Sequence, residues 1–186
     1  MMPFLKKTTG LAAVGATSWY TYHRQKGHIN PGGRHSYDMD WYLGPEENHG
    51  GADKFWHDLL ESPNGRFPMT RVNGSAHEVG DVMHLQFFCE PPNPVIVDEI
   101  TDRSMTLTAG PKHLFKGEAH HSVFEKGGGL FYRIQGQGPA EGGEPVVIQA
   151  ANTLFAQAGW TLNMPRSYSK AELEAEAAFE KADNYR

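Results

Sequence analysis

"KGEAHHSVFEKGGGLFYRI", Lys116–Ile134, contains two runs of alternating apolar and polar residues separated by three glycines. Alternation with period two marks a strand, and a glycine cluster between two such runs marks a hairpin. Ala119, His121 and Val123 share one face of the first strand, while Glu118, His120, Ser122 and Phe124 share the other. Adjacent residues of a regular strand point to opposite sides, so His120 and His121 cannot jointly hold one metal ion. His121 goes with the apolar set and is expected to face inward, where it could hydrogen-bond a ligand or act as a general base. Buried histidines are more often structural than functional, so that plainer role is the first expectation. The hairpin therefore reads as a wall carrying one polar handle.

The same period continues outward from the hairpin. "DVMHLQFF" (Asp81–Phe88) puts Met83, Leu85 and Phe87 on one face. "VIVDEI" (Val95–Ile100) and "MTLTA" (Met105–Ala109) are further strands joined by the tight turn "TDRS". "EPPNP" reads as a turn in which Pro92 and Pro94 stay out of any ladder. "SYDMDWYL" (Ser36–Leu43) is a first strand with Tyr37, Met39 and Trp41 on one side. "ADKFWHDLLES" then carries Phe55, Trp56, Leu59 and Leu60 at helical spacing, ended by Pro63 and Gly65. Beyond the hairpin, "GPAEGGE" stops the sheet and Pro145 fits the first position of a helix. "PVVIQAANTLFAQAGWTL" places Val147, Ala150, Ala151, Leu154, Ala158 and Leu162 on one stripe, expected to lie against the sheet. A last helix is expected in the charged tail, with Ser169 and Glu172 as its capping box. The predicted class is α+β, an antiparallel meander with a short helix before it and a long one after.

Composition narrows the function classes. The chain has 186 residues, 39% hydrophobic and 21% charged, which fits one domain with a real core rather than a disordered chain. A formal charge of −5 argues against a nucleic-acid surface. The single cysteine, Cys89, excludes an intramolecular disulfide; set behind two phenylalanines, it reads as a small buried hydrophobe rather than a nucleophile. At the N-terminus, "MMPFLKK" precedes an uncharged run, "TTGLAAVGATSWYTY", that is shorter than the roughly 18–20 apolar residues of a membrane-crossing helix. Three readings stand side by side: a poor signal peptide, a weak membrane anchor with Trp19, Tyr20 and Tyr22 at the interface, and a peripheral arm. The location stays open between cytoplasmic and membrane-associated, with export possible. "GHINPGGRHSYD" reads as a linker. The expected organisation is arm and linker over 1–35, a folded domain over 36–164 and a charged helix over 165–186.

Two stretches carry a resemblance. "GGADKFWHDLLESPNGRFPMTRVNGSAHEVGDVMHLQF" resembles the early segment of the helix-grip superfamily, where an aromatic "xxFWxxLxxP" helix precedes a "VGxxxxL" strand. "GPKHLFKGEAHHSVFEKGGGLFYRI" resembles the central hairpin of a bacterial and plant subset, where "GHxxxGE" leads into a strand. Gly110, His113, Gly117 and Glu118 correspond, with Pro111 and Lys112 departing from the simplest spacing. The superfamily includes START lipid-transfer domains, polyketide cyclases and pollen-allergen-like proteins. The likeness spans residues 36–163 and implies a curved antiparallel sheet wrapped around a long C-terminal helix. It also implies an elongated apolar cavity between the two. The implied lining is Met83, Leu85, Phe87, Met105, Leu107, His121, Tyr132, Ile134 and Leu154, with Leu162 beside them. Small residues on the helix (Ala150, Ala151, Ala156, Ala158, Gly159) favour open space beneath it. For each lining residue taken alone, ordinary core packing is the simpler expectation.

Other polar groups add little chemistry. His49, Asp53 and His57 are spaced four apart, but Gly50 and Gly51 put His49 ahead of the helix, so a solvated face and no metal are expected. Arg133 and Glu99 are open between outward pairing and an inward role, which for Arg133 would be toward an anionic head group. GxSxG, P-loop, GxGxxG and CxxC patterns are absent, and no cofactor is expected. The leading functional expectation is binding or transport of a lipid-like or polycyclic apolar molecule, without catalysis. The alternatives are a cyclase- or dehydratase-type enzyme using His121 and Tyr132 as acid–base groups, and a non-catalytic assembly subunit with a filled interior.

Overall fold

The computed structural model describes residues 4–61, 70–74, 76–86, 93–111, 113 and 116–163. Its strands are β1 (Ser36–Pro45), β2 (Thr70–Gly74), β3 (Val82–Gln86), β4 (Asn93–Ile100), β5 (Ser104–Ala109), β6 (Glu118–Lys126) and β7 (Gly129–Gln137). Its helices are α1 (Phe4–Gln25), α2 (Ala52–Glu61) and α3 (Val146–Asn163), with one 3-10 turn at Glu46–Asn48. All seven strands form one antiparallel sheet in the order β1-β7-β6-β5-β4-β3-β2. Strands β2 to β7 pair with their sequence neighbours and β1 adds at the free side of β7. The α+β meander expected from the sequence is the one that forms.

Local chemistry explains the meander. Gly127 and Gly128, with φ of 60° and 75°, supply the two left-handed positions of a two-residue hairpin, whose twist matches that of the flanking strands. At the start of β6, Gly117 has φ 127°, and a Cβ there would stand 2.1 Å from the Gln137 carbonyl oxygen. Only glycine lets these two chain segments approach so closely. Register shifts at Tyr42/Gly44, Arg71/Asn73 and Val97/Glu99 introduce bulges that bend the sheet.

The inner face of the sheet carries Met83 and Leu85, Val95 and Val97, Met105 and Leu107, Val123, and Leu130, Tyr132 and Ile134, all buried in one core. Helix α2 lies on this face and contributes Phe55, Trp56 and Leu59. Its N-terminus is fixed by Glu125 of β6, whose Oε1 accepts from the Ala52 N–H at 2.8 Å, a carboxylate placed where helix N–H groups lack partners. Trp56 donates from Nε1 to the Thr101 carbonyl at 3.2 Å, pinning the other side of α2 to the β4–β5 turn.

Several expectations need correction. Pro94 is inside β4, opposite His84, with its carbonyl accepting from the Gly110 N–H at 2.8 Å. Pro145 precedes α3 as its N-cap, its carbonyl accepting from Gln149 N–H at 3.0 Å, rather than occupying the first helical position. The segment read as a linker is packed: Ile29 and His35 are buried. Helix α3 is turned over. Val147, Leu154 and Ala158 of the stripe expected to face the sheet are exposed, and the buried side carries Gln149, Asn152, Thr153 and Ala156. Contacts of α3 run along β1, at the side of the sheet. Phe87, Cys89, Pro92, Ser169 and Glu172 lie outside the described residues. Among the described residues no helix is long and apolar enough to cross a membrane.

Candidate functional site

His121 is fully buried on the inner face, as its alternation predicts, and His120 lies on the outer face. In the sheet register His121 stands between Met105 of β5 and Ile134 of β7, and Ile134 in turn pairs with Met39 of β1. The adjoining row is Val123, Tyr132 and Trp41. Tyr132 is therefore the diagonal neighbour of His121 across two strands, a separation long side chains can bridge. Its hydroxyl lies 3.0 Å from His121 Nδ1. Trp56 of α2 approaches Tyr132 with ring centroids 6.5 Å apart, so the helix covers the pair.

Burial sets the protonation of both groups. Desolvation, with a smaller contribution from His120, pushes the His121 pKa down to about 3. Burial pushes the Tyr132 phenol well above its ordinary range. At neutral pH the pair is an uncharged imidazole and an uncharged phenol. A neutral imidazole has one donor and one acceptor nitrogen, and a phenol can do either, so together they can offer a donor or an acceptor to a third group.

Of the residues expected to line an interior site, Met83, Leu85, Met105, Leu107, His121, Tyr132 and Ile134 are brought to one buried face. Leu154 is not among them; it stands 51% exposed on the outward side of α3. Of the small helix residues, Ala156 is packed into the core and Ala158 faces out. Glu99 is exposed. Arg133 points outward, donating to both carboxylate oxygens of Asp40 at 2.6 and 2.7 Å and lying over the Phe124 ring at 4.8 Å. His49 precedes α2 and donates from Nε2 to the Leu43 carbonyl at 3.0 Å, while Asp53 pairs with Arg103 and His57 is exposed. Among the described residues no group of three or more ligating side chains could hold a metal ion.

Two features escape sequence reasoning. One is a buried polar cluster where the packed linker meets α3. His35 Nδ1 is 2.6 Å from Glu144 Oε2, Asn152 Nδ2 is 2.8 Å from His35 Nε2, and Gln149 bonds the Asn30 N–H and carbonyl and the Glu144 carbonyl. The signal was present as polar residues at 149, 152 and 153 on one side of the helix, but an apolar stripe on the other side outranked it. The second is a polar groove of about 510 Å³ on the outer face, between the 26–28 segment and β1, β7 and β6. Asp38, Gln135 and His120 form one cross-strand row of its floor, and Ser36, Gln137 and Glu118 the next.

Strand, helix, antiparallel meander and long terminal helix follow one another in the order set out above. The fold is the helix-grip fold. No protein family matches this chain by sequence profile, and no curated protein matches it. Solved structures with a similar course include NE0264 from Nitrosomonas europaea, with TM-score 0.49 and 13% identity over 77% of this chain and 96% of that one. XoxI from Bacillus cereus gives 0.46 and 14% over 77% and 98%. Ara h 8.0201 gives 0.39 and 12% over 70% and 95%.

Proposed function

We propose that this helix-grip domain binds an apolar small molecule, lipid-like or polycyclic, against the inner face of its sheet, with His121 and Tyr132 as the polar groups that orient it. The observation carrying this reading is an uncharged, hydrogen-bonded histidine–tyrosine pair set in the sheet register among Met105, Ile134 and Val123. Affinity would come from apolar burial, at about 25 cal/mol per Å², and orientation from one or two hydrogen bonds. Both rings are fully buried, so a ligand reaches them by displacing what covers that face, α2 among the described elements. The cyclase or dehydratase alternative is the weaker one. A histidine with a pKa near 3 is a poor base at neutral pH, far from the match that general acid–base catalysis favours.

The test is native mass spectrometry of protein purified gently from its own host, followed by denaturing analysis of whatever is released. A stoichiometric apolar molecule is expected. Its retention should fall in Tyr132→Phe, and its binding should alter the emission of Trp56, identified by subtraction with Trp56→Phe. Repeated recovery of empty protein that also takes up no fluorescent fatty acid or sterol would remove the carrier reading.

A further inference from the structure

The polar groove on the outer face of the sheet is held in shape by bonds among its own parts. Along its wall, Ser36 donates from its backbone N–H to the His28 carbonyl at 3.0 Å and from Oγ to the Gly27 carbonyl at 3.1 Å. The His28 ring is tied to His23, with the two Nδ1 atoms 2.8 Å apart. On the floor, Thr106 Oγ1 and His120 Nδ1 are 3.1 Å apart, and Gln137 Nε2 donates to Glu118 Oε1. Gln135 Nε2 donates to Asp38 Oδ2 at 3.4 Å. Side chains ordered before a ligand arrives lose little freedom on binding it. Among the described residues these bonds leave the amide oxygens of Gln135 and Gln137 and Oε2 of Glu118 able to accept, with the Lys26 ammonium on the wall able to donate.

We propose that this groove binds a neutral polyhydroxylated molecule of the saccharide class. The lining opposes each other class of ligand. An anion would meet two carboxylates, Asp38 and Glu118, against one ammonium, Lys26. An amine is repelled by Lys26 and has nothing to accept the protons that Lys26 and the imidazoles offer. A divalent cation has no ligand set among the described residues. An apolar molecule would take water from carboxylates and amides without replacing its hydrogen bonds.

A hydroxyl group answers both kinds of lining, because it donates one hydrogen bond and accepts two. Several hydroxyls on one ring meet acceptors and donors together. The sheet sets the spacing. Same-face residues recur about every 7 Å along a strand and about every 4.8 Å across strands, distances that one sugar ring spans with its hydroxyls. The row of Asp38, Gln135 and His120 and the row of Ser36, Gln137 and Glu118 thus form a grid of polar groups under such a ring. A volume of about 510 Å³ falls within the range of small-molecule sites and admits a monosaccharide or disaccharide.

The test is an amide-shift titration of the isotope-labelled full chain with glucose, galactose, mannose, N-acetylglucosamine, maltose, cellobiose and lactose, with putrescine and citrate as charged rivals. At least one sugar should shift the amides of 36–38, 118–120 and 135–137 saturably, with a dissociation constant of about 1 mM or below. Glu118→Gln and Gln135→Ala should each weaken that sugar about tenfold at an unchanged thermal midpoint. No saturable shift with any of the sugars, shifts that map away from the groove, or an affinity indifferent to both variants would each overturn the proposal. Putrescine or citrate held in the groove more tightly than every sugar would overturn it as well. His121 and Tyr132 lie on the opposite face of the sheet, so none of these outcomes bears on the apolar ligand.

Discussion

His121 and Tyr132 occupy diagonal positions on neighbouring strands, and their removal from water governs what they can do. In the unfolded chain His121 takes up a proton near its ordinary value of 6.5, but in the folded state it does so only near 3. The unfolded state therefore binds more protons between those limits, and stability falls as pH falls through that window. Above about 6.5 the residue is neutral in both states and contributes no pH dependence. Urea denaturation at pH 7 and pH 5 should show a loss of about 2 kcal/mol from this histidine alone, and His121→Phe should flatten the slope by that amount. His23 and His28, also shifted down by burial, add to the wild-type slope in the same direction. A slope unchanged in His121→Phe would mean that the ring is reached by water. At this scale the sequence was informative. Strand alternation placed His121 inside and His120 outside correctly, because the two faces of a strand are fixed by backbone geometry. It did not reveal Tyr132 Oη at hydrogen-bond distance, which depends on the register between two strands.

The β6–β7 hairpin and α3 behave oppositely as elements. The hairpin was legible from end to end, since its two glycines and its alternation are local properties read within twenty residues. Helix α3 was legible as a helix but not in its orientation. Its apolar stripe looked like the buried side, and the helix buries Gln149, Asn152, Thr153 and Ala156 instead. The reason is the packed 26–35 segment, which supplies partners for those polar groups; a buried amide is tolerable only when it is bonded. Gln149→Ala removes part-buried bonds to Asn30 and leaves the buried Glu144 carbonyl without its Gln149 partner. Chemical denaturation should register a destabilisation of about 2–4 kcal/mol, against less than about 0.5 kcal/mol for Val147→Ala on the exposed side. Equal costs on the two sides would contradict the orientation of the helix.

For the molecule as a whole, we propose that the folded unit begins ahead of residue 36. The Gly/Pro-rich stretch suggested a domain beginning at residue 36, yet Ile29 and His35 are buried and His35 is bonded to Glu144 and Asn152. A chain beginning at residue 26 should melt cooperatively, whereas one beginning at 36 should lose several kcal/mol or fail to fold, since it surrenders a buried aliphatic side chain and strands a buried carboxylate. Circular dichroism melts of the two truncations decide it; equal midpoints would restore the boundary at 36. The sequence by itself determined the α+β class, the meander and the short-turned hairpins β4–β5 and β6–β7. Each of these follows from periodicity and turn chemistry, which act over a few residues. Tertiary structure alone decided which side of α3 is buried, that Ile29 and His35 are buried, and that Tyr132 meets His121. Those outcomes depend on which distant groups can satisfy one another's hydrogen bonds away from water, and no local pattern encodes that choice.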